Sequence, residues 1–229
     1  MDRPTGDLTT ERLVLRLVDP NNSEHCRRFI RVLSDPSAGL GGNAQVGIKT
    51  VKHVQAKHKR HMPKQELCTK APAPPGMIHL VYLKPPEGKE ETEDDLIGLV
   101  SVSFRSEMPY PDLGYAFYQP HWGRGYASEA GRAVTSFWRD EVGVKEMFIA
   151  AMDNNVKSQR VAEKCGFVRA GGFDVVFGIS ENQKCFSATA YVLPGMEWCE
   201  WKADGSRTAI YPTVGTDEKL EEIGDIAVP

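Results

Sequence analysis

One run of six apolar residues, 147–152, constrains the fold more than any other part of the sequence. No polar residue interrupts this run, which is typical of a β-strand covered on both faces of a sheet. Apolar residues at helical spacing come before it and after it. The two sets are Ala127, Ala130, Val134 and Phe137, and then Val156, Val161, Ala162 and Cys165. The pattern predicts a β-sheet with helices layered on it, and Gly166 is expected to end the second helix.

The rest of the chain predicts further strands and two earlier helices. A strand begins at Leu13, and Asn22 or Ser23 caps a helix that buries Cys26, Phe29, Ile30 and Leu33. A second, basic helix is expected over residues 50–61. Strands are expected at 77–84, 97–104 and 112–118, and again near 167–177 and 184–193. The order β-α-α-β-β-β-α-β-α-β-β predicts a mixed α+β domain whose sheet begins antiparallel.

Charge and hydropathy exclude several classes of protein. The net charge is −3 and the isoelectric point is about 6.1, which argues against a protein that coats nucleic acid. The apolar runs are too short for a membrane helix, and the polar first residues do not resemble a secretory signal peptide. We therefore expect no nucleic-acid partner, no membrane contact and a cytoplasmic location.

Cysteine and histidine usage gives no sign of a metal or a disulfide framework. The five cysteines are odd in number and form no CxxC pair, so we expect free thiols in a reducing compartment. His58 and His61 are one helical turn apart but have no further ligand near them in sequence, so we predict no metal. The basic stretch 49–64 is either a solvated helix or a surface that holds an acidic substrate or a phosphate.

The segment 119–130, QPHWGRGYASEA, has the pattern of an anion-binding turn. A strand ends, two glycines follow within three residues, and a helix begins. Glycines let the main chain turn sharply, and the first helical turn offers unpaired N–H groups and the positive end of the helix dipole. The segment is therefore either a phosphate-binding cradle or a tight turn with no ligand.

A second segment, 150–173, favours the phosphate-binding cradle over a tight turn with no ligand. Residues 122–130 match WGxGYAxEA, residues 155–167 match NxxSxRVxEKxGF, and residues 10–16 match TERLxLR. In this order the three motifs resemble the GCN5-related N-acetyltransferase (GNAT) superfamily, and most of all its RimJ/RimL-like branch of ribosomal-protein N-terminal acetyltransferases. The resemblance covers residues 8–201. Residues 202–229 are expected to form an acidic, flexible C-terminal tail.

The resemblance implies a GNAT fold with a mixed, mostly antiparallel sheet of six to seven strands and about four flanking helices. It also implies that acetyl-CoA binds in a wedge between the strand that ends near Gln119 and the strand 146–151. The residues assigned to acetyl-CoA are Trp122, Gly123, Arg124, Gly125, Tyr126, Ala127, Asn155 and Ser158. Trp122 stands where many family members have Gln or Arg, and the main-chain cradle does not need that side chain.

The implied reaction is direct attack of an amine on the thioester. Glu107, Asp112 and Glu129 are the candidate bases, although each is also explained as a solvated or helix-capping charge. A strand N–H within 116–118 is expected to bind the oxyanion. Many family members place a tyrosine acid where this chain has Ala162. Ser158 is the remaining hydroxyl there, so we assign it a hydrogen bond to the sulfur.

The acceptor is not identified by the sequence. We expect a small-molecule amine or a peptide N-terminus. Two alternatives stay open, namely a GNAT-fold enzyme with other chemistry, by another acyl transfer or a CoA-independent reaction, and a non-catalytic binding module. Tyr115 and Tyr118 point to opposite faces of one strand, so one of them can line the cleft. Exposed strand edges favour pairing, which leaves a homodimer open.

Overall fold

The structure is a computed structural model that describes residues 6–38, 48–105, 108, 110–177, 184–198 and 208–211. These residues form one nine-stranded sheet with helices on both faces. The strands are β1 (Leu8–Thr9), β2 (Leu13–Leu17), β3 (Ile78–Leu83), β4 (Leu96–Ser103), β5 (Asp112–Phe117), β6 (Phe148–Met152), β7 (Val168–Phe177), β8 (Lys184–Val192) and β9 (Thr208–Tyr211). The helices are α1 (Ser23–Ser34), α2 (Val51–Arg60), α3 (Tyr126–Ser136) and α4 (Val156–Lys164), and a π-helical segment, Phe137–Val142, continues α3.

The order of elements agrees with the sequence pattern, but the number of strands does not. The prediction of six to seven strands is wrong, because β1 and β9 were not predicted. β1 has two residues, too few for an alternating pattern, and β9 lies in the segment 202–229, which has no periodicity. Both strands are held at sheet edges by main-chain pairing to β2 and β7. Residues 212–229 lie outside the described residues.

The strands follow the order β1-β2-β3-β4-β5-β6-β8-β7-β9 across the sheet. Neighbours are antiparallel from β1 to β5, and again between β6, β8 and β7. β5 and β6 run parallel, as do β7 and β9. The sheet is therefore mixed and mostly antiparallel, as predicted.

The helices divide the core into two layers, one on each face of the sheet. α3 packs Ala130 and Val134 against β4 and β5, and Phe137 of the π-helical segment and Ala162 of α4 join the same cluster. α1 packs on the opposite face, where its predicted core residues Cys26, Phe29 and Ile30 are buried and Leu33 is partly buried. Asn22 caps α1 as expected, because its Oδ1 accepts hydrogen bonds from the N–H groups of Glu24 and His25.

The basic helix α2 is placed as predicted, but it is not simply solvated. Thr50 caps its first turn by accepting a hydrogen bond from the N–H of His53, and His61 ends it. One face of α2 is buried, and this face includes Lys57 and His58 besides Val54. The sequence pattern did not reveal this, because Lys57 and His58 share a helical face with Val54 but are residue types that are mostly exposed. None of the described helices is long and apolar enough to cross a bilayer.

His79 on β3 is a fully buried titratable group that holds the N-terminal segment. Its Nε2 lies 2.7 Å from the carbonyl oxygen of Gly6, and its ring packs edge-on against Phe137. Burial lowers the pKa of His79 to about 4, although the hydrogen bond to Gly6 opposes this. The imidazole is therefore neutral in the folded protein at every pH above about 4.

The buried imidazole makes the fold less stable in mild acid. The unfolded chain binds a proton near pH 6.5 and the folded chain does not, so the free energy of unfolding falls as the pH drops from about 6.5 towards 4. We predict a loss of about 1.3 kcal/mol from this residue between pH 7.5 and 5.5. Urea unfolding at the two pH values should show this loss in the wild type, and a loss smaller by that amount in His79→Phe. Equal losses in the two proteins would contradict the account.

Candidate active site

The sheet opens between β5 and β6. The two strands are paired only at their first residues, Asp112 and Phe148, and diverge beyond that point. On its other side β5 stays paired with β4 over its whole length. Gly114 and Tyr115 on β5 and Ala150 on β6 are partly exposed in the middle of the sheet as a result. The outcome is the wedge that the family resemblance implies, and its wide end meets the N-termini of α3 and α4.

The loop before α3 presents an uncapped helix N-terminus at the wide end of the wedge. Gly123 and Gly125 have φ angles of 74° and 83°, in the left-handed region that favours glycine. Gly125 occupies the N-cap position and supplies no side-chain hydrogen bond, so the first N–H groups of α3 have no intrahelical partner. A Cβ atom on Gly123 would meet nothing within 4 Å, so the loop has open space in front of it. These features fit a pyrophosphate.

A clamp formed by Arg12 and Glu129 fixes the shape of this loop. The Arg12 guanidinium donates to Glu129 Oε2 through Nε at 2.7 Å and to the carbonyl oxygen of Arg124 through Nη1 at 3.0 Å. It also lies 4.7 Å from the centroid of the Tyr126 ring. The Thr10 hydroxyl donates to Glu129 Oε1 at 2.6 Å. Two of the three motifs, residues 10–16 and 122–130, are thus in direct contact.

The same contacts explain Glu129, which the sequence left as a candidate base. Burial alone would raise its pKa, but the hydrogen bonds from Thr10 and Arg12 outweigh this, so the pKa of Glu129 is lowered. Its Oε1 accepts from both Thr10 and the main-chain N–H of Arg12, and its Oε2 accepts from the Arg12 side chain. An ionised carboxylate bound by so many donors is a structural anchor and a poor proton acceptor.

The N-terminus of α4 forms the opposite wall of the wedge. Asn155 caps this helix, since its Oδ1 accepts a hydrogen bond from the N–H of Ser158 at 3.0 Å. Ser158 Oγ lies 2.7 Å from the hydroxyl of Tyr115, and the Ser158 carbonyl oxygen lies 3.0 Å from it. Tyr115 comes from β5, so this contact links the two walls. Burial raises the pKa of Tyr115, which keeps the phenol protonated.

Trp122 and Lys157 also approach each other from the two sides of the wedge. The indole N–H of Trp122 donates to the carbonyl oxygen of Phe117 at 2.6 Å, which anchors the loop to the end of β5. The Lys157 ammonium lies 4.7 Å from the centroid of the Trp122 ring, a cation–π contact. The Trp122 side chain is 37% exposed and its ring remains on the surface beside the cradle.

Asp112 lies at the narrow end of the wedge and is not a solvated loop charge. It is 7% exposed, and its Oδ2 is 3.4 Å from Nη1 of Arg105. Its Oδ1 is buried without a hydrogen-bond partner among the residues that the structure describes. The pKa of Asp112 is raised above its usual value, because burial outweighs the opposing charges of Arg105 and Lys57. Glu107, the other candidate base, lies outside the described residues.

Lys57 of α2 belongs to the same buried group of charges, which was not predicted from the sequence. Its Nζ lies 3.4 Å from Nδ1 of His61, the residue that ends α2. The pKa of Lys57 is lowered to about 7, because burial and the charge of Arg105 outweigh the opposing charge of Asp112. The group lies on the α1–α2 face of the sheet, to which the even-numbered residues of β5 point.

The predicted oxyanion donors are engaged elsewhere. The N–H of Phe117 donates to the carbonyl oxygen of Ala38, and the N–H of Tyr118 donates to that of Ile97. Ala116 lies opposite Leu99 in the ladder with β4. Because hydrogen bonds alternate along an antiparallel strand, the N–H of Tyr115 points the other way, into the wedge. The sequence missed this donor because the register with β4 cannot be read from local pattern.

Other predicted features concern metals and cysteines. The described part of the chain contains no group of three or more His, Cys, Asp or Glu residues that could hold a metal ion. Cys26, Cys68 and Cys165 are free and buried. Cys165 packs beneath α3, where its Sγ lies 3.7 Å from the carbonyl oxygen of Ser128, so it is a core residue.

A parted sheet beside an uncapped, glycine-led helix N-terminus is an arrangement in an α+β protein that fits a phosphate-bearing ligand. The model of the acetyltransferase (GNAT) domain family matches residues 12–168, more than half of the chain. The chain therefore belongs to the GNAT acetyltransferase family. The family resemblance found in the sequence is confirmed at this level.

Individual relatives are more distant. An uncharacterised N-acetyltransferase of Bacillus subtilis, YnaD, is 33% identical over 107 residues, which cover 46% of this chain and 61% of that protein. The chain thus covers less than two thirds of the length of the curated relatives that it matches.

Solved structures agree with the fold. A GNAT-family acetyltransferase from Bacillus anthracis superposes with a TM-score of 0.54 at 20% identity, over 82% of this chain and 97% of that one. RimL, a ribosomal α-N-protein acetyltransferase solved in complex with coenzyme A, has a TM-score of 0.54 at 14% identity, over 81% and 95% of the two chains.

The clamp gives a prediction about stability. Replacing Glu129 with Ala leaves the Thr10 and Arg12 donors without their acceptor in a partly buried place. Because Arg12 is partly exposed, we expect a loss of about 1–2 kcal/mol in the free energy of unfolding, measured by urea titration. Glu163→Ala, at an exposed position on α4, is the control and should change stability by less than about 0.5 kcal/mol. Equal effects of the two substitutions would show that the clamp adds no stability.

Proposed function

We propose that the protein is an acetyl-CoA-dependent N-acetyltransferase in which an amine attacks the thioester directly. The observation that carries this proposal is the parting of β5 and β6 beside the uncapped N-terminus of α3. In the proposed complex with acetyl-CoA, the main-chain N–H groups of residues 123–127 bind the pyrophosphate. The wedge holds the pantetheine arm, and the acetyl group lies near Tyr115 and Ser158.

Two groups of the wedge act on the thioester in the proposed reaction. The N–H of Tyr115 donates to the thioester oxygen, on which charge develops during attack. The Ser158 hydroxyl donates to the sulfur as the thiolate leaves. A thiolate needs little help, because the pKa of an ordinary thiol is about 8.5. No covalent intermediate with the protein is required, and the buried Cys165 has no part in the chemistry.

Asp112 is the proposed proton acceptor for the attacking amine. An alkyl amine with a pKa of about 10.4 must lose a proton at a cost of about 4–5 kcal/mol at pH 7. For an N-terminal amine with a pKa of about 8, the cost falls to about 1.4 kcal/mol. Asp112 lies on the α1–α2 face, and its Oδ1 is buried without a hydrogen-bond partner among the described residues, so we assign that face to the acceptor. The acceptor is a small-molecule amine or a peptide N-terminus, and the motif pattern favours the RimJ/RimL-like branch.

Calorimetric titration tests the cradle. We expect acetyl-CoA and free CoA to bind with micromolar affinity and ATP to bind much more weakly. In Gly123→Glu the new carboxylate repels the pyrophosphate and fills the open space in front of the loop, so the affinity for both CoA species falls at least tenfold. A tenfold loss corresponds to about 1.4 kcal/mol.

Gly88→Glu is the matched control. Gly88 has a φ of 78° and no neighbour within 4 Å of a built Cβ, as Gly123 does, but it lies in the loop between β3 and β4. The control should bind CoA like the wild type. If the wild type binds neither CoA species, the proposed function is wrong. If both glutamate variants bind like the wild type, the cradle lies elsewhere.

The proposed base is tested by Asp112→Asn. With the best acceptor from a panel of polyamines, amino acids and short peptides, we expect kcat to fall about 10²-fold while the dissociation constant of acetyl-CoA stays unchanged. Release of the CoA thiol measures the rate. Asp174→Asn, on β7, serves as the control and should keep the wild-type rate. A folded Asp112→Asn protein with the wild-type kcat would remove Asp112 from the mechanism.

A further inference from the structure

We propose that Tyr115 is a positioning residue for the leaving sulfur: its hydroxyl donates to Ser158 Oγ and thereby turns the serine proton towards the thioester. The inference rests on the acetyl-CoA-dependent activity proposed above and adds a second hydroxyl to it. The side chain of Tyr115 is not catalytic in this scheme, because it reaches the sulfur only through Ser158, and its hydroxyl acts separately from the main-chain N–H assigned to the thioester oxygen.

The contact between the two hydroxyls crosses the wedge. Tyr115 belongs to β5 and Ser158 to the first turn of α4, and their oxygen atoms are 2.7 Å apart. α4 itself offers no second hydroxyl at this place. The residue one turn after Ser158 is Ala162, which has no hydroxyl and is fully buried in the core. The second hydroxyl therefore comes from β5. The motif over residues 155–167 could not reveal it, because that motif covers only α4 and its flanks.

The hydroxyl of Tyr115 has one proton and two acceptors within reach, namely Oγ and the carbonyl oxygen of Ser158, at 2.7 and 3.0 Å. If Tyr115 donates to the carbonyl, Ser158 donates its own proton to the Tyr115 oxygen, and nothing is left for a ligand. If Tyr115 donates to Oγ, the serine proton is free to point at the sulfur. A developing thiolate favours the second arrangement, because hydrogen bonds to charged acceptors are the stronger ones.

The proton stays on the tyrosine throughout the reaction. Burial raises the pKa of Tyr115, whereas an ordinary thiol has a pKa of about 8.5, so transfer from the phenol to the thiolate is unfavourable. In the step itself the amine forms the new C–N bond, the C–S bond breaks, and sulfur keeps the electron pair. The amine proton leaves to Asp112. Ser158 and Tyr115 contribute hydrogen bonds alone.

The pKa of the thiol of bound CoA measures this directly and needs no acceptor. The thiolate absorbs near 240 nm, so CoA bound to the full-length protein is titrated with pH, against the complex with dethio-CoA as the blank. We expect the thiol pKa to be lower in the complex than in free CoA. In Tyr115→Phe it should rise by about one unit, a tenfold smaller ratio of thiolate to thiol at a given pH.

The double variant separates a positioning role from a direct one. Ser158→Ala should raise the thiol pKa at least as much as Tyr115→Phe, and adding Tyr115→Phe to Ser158→Ala should change nothing further. Tyr118→Phe is the matched control. Tyr118 directly follows β5 and packs on the opposite face of the sheet, and its hydroxyl has no hydrogen-bond partner in the described part of the chain. This control should leave the thiol pKa unchanged.

Two results would overturn the proposal while leaving the proposed function intact. One is a thiol pKa unchanged in Tyr115→Phe although CoA binds, and the other is an additive effect in the double variant. Absence of CoA binding by the wild type would overturn both. Should Tyr115→Phe fail to fold, 3,5-difluorotyrosine at position 115 keeps the shape and strengthens the donor. It should lower the thiol pKa further, and no change would again contradict the proposal.

Discussion

The pairing of Asp112 with Phe148 joins β5 to β6, and the site exists because this pairing goes no further. Were the two strands hydrogen-bonded along their length, the N–H of Tyr115 would be satisfied by β6 and the sheet would be closed. Instead the parallel strands part towards their C-terminal ends. The chain leaves those ends into α3 and α4, so two helix N-termini meet the opening, each with its positive dipole end.

An opening in a sheet exposes main-chain polar groups, and long-range side-chain contacts hold its two sides in place. The Arg12–Glu129 clamp joins the first strands to α3, and the contact of Tyr115 with Ser158 joins β5 to α4. The walls are therefore fixed before any ligand binds. Such preorganisation is what electrostatic stabilisation of a transition state requires, because donors that are already oriented need no rearrangement during the reaction.

Features that depend on neighbouring residues, such as helices and turns, could be predicted from the sequence. Contacts between residues far apart in the chain could not. Periodicity located α1, α3 and α4, and Asn22 was one of the two residues expected to cap α1. The helix α2 was predicted as a basic stretch without a clear amphipathic pattern, and its cap at Thr50 was not predicted. The glycine pattern located the turn before α3, in which Gly123 and Gly125 have positive φ angles. The role of Glu129 could not be predicted, because its partner Arg12 is 117 residues away in the chain. Lys57 was expected at the surface, in a solvated helix or in a surface that holds an acidic group, because a lysine is rarely buried even on a helical face that includes an apolar residue such as Val54.

The central claim is that CoA lies in this wedge with its pyrophosphate on the N-terminus of α3 and its sulfur beside Ser158. A crystal structure of the protein with free CoA tests it most directly. The account predicts phosphate oxygens within hydrogen-bond distance of the N–H groups of residues 123–127, and the sulfur in contact with Ser158 Oγ. A structure with CoA bound outside the opening between β5 and β6, or with its pyrophosphate away from α3, would contradict it.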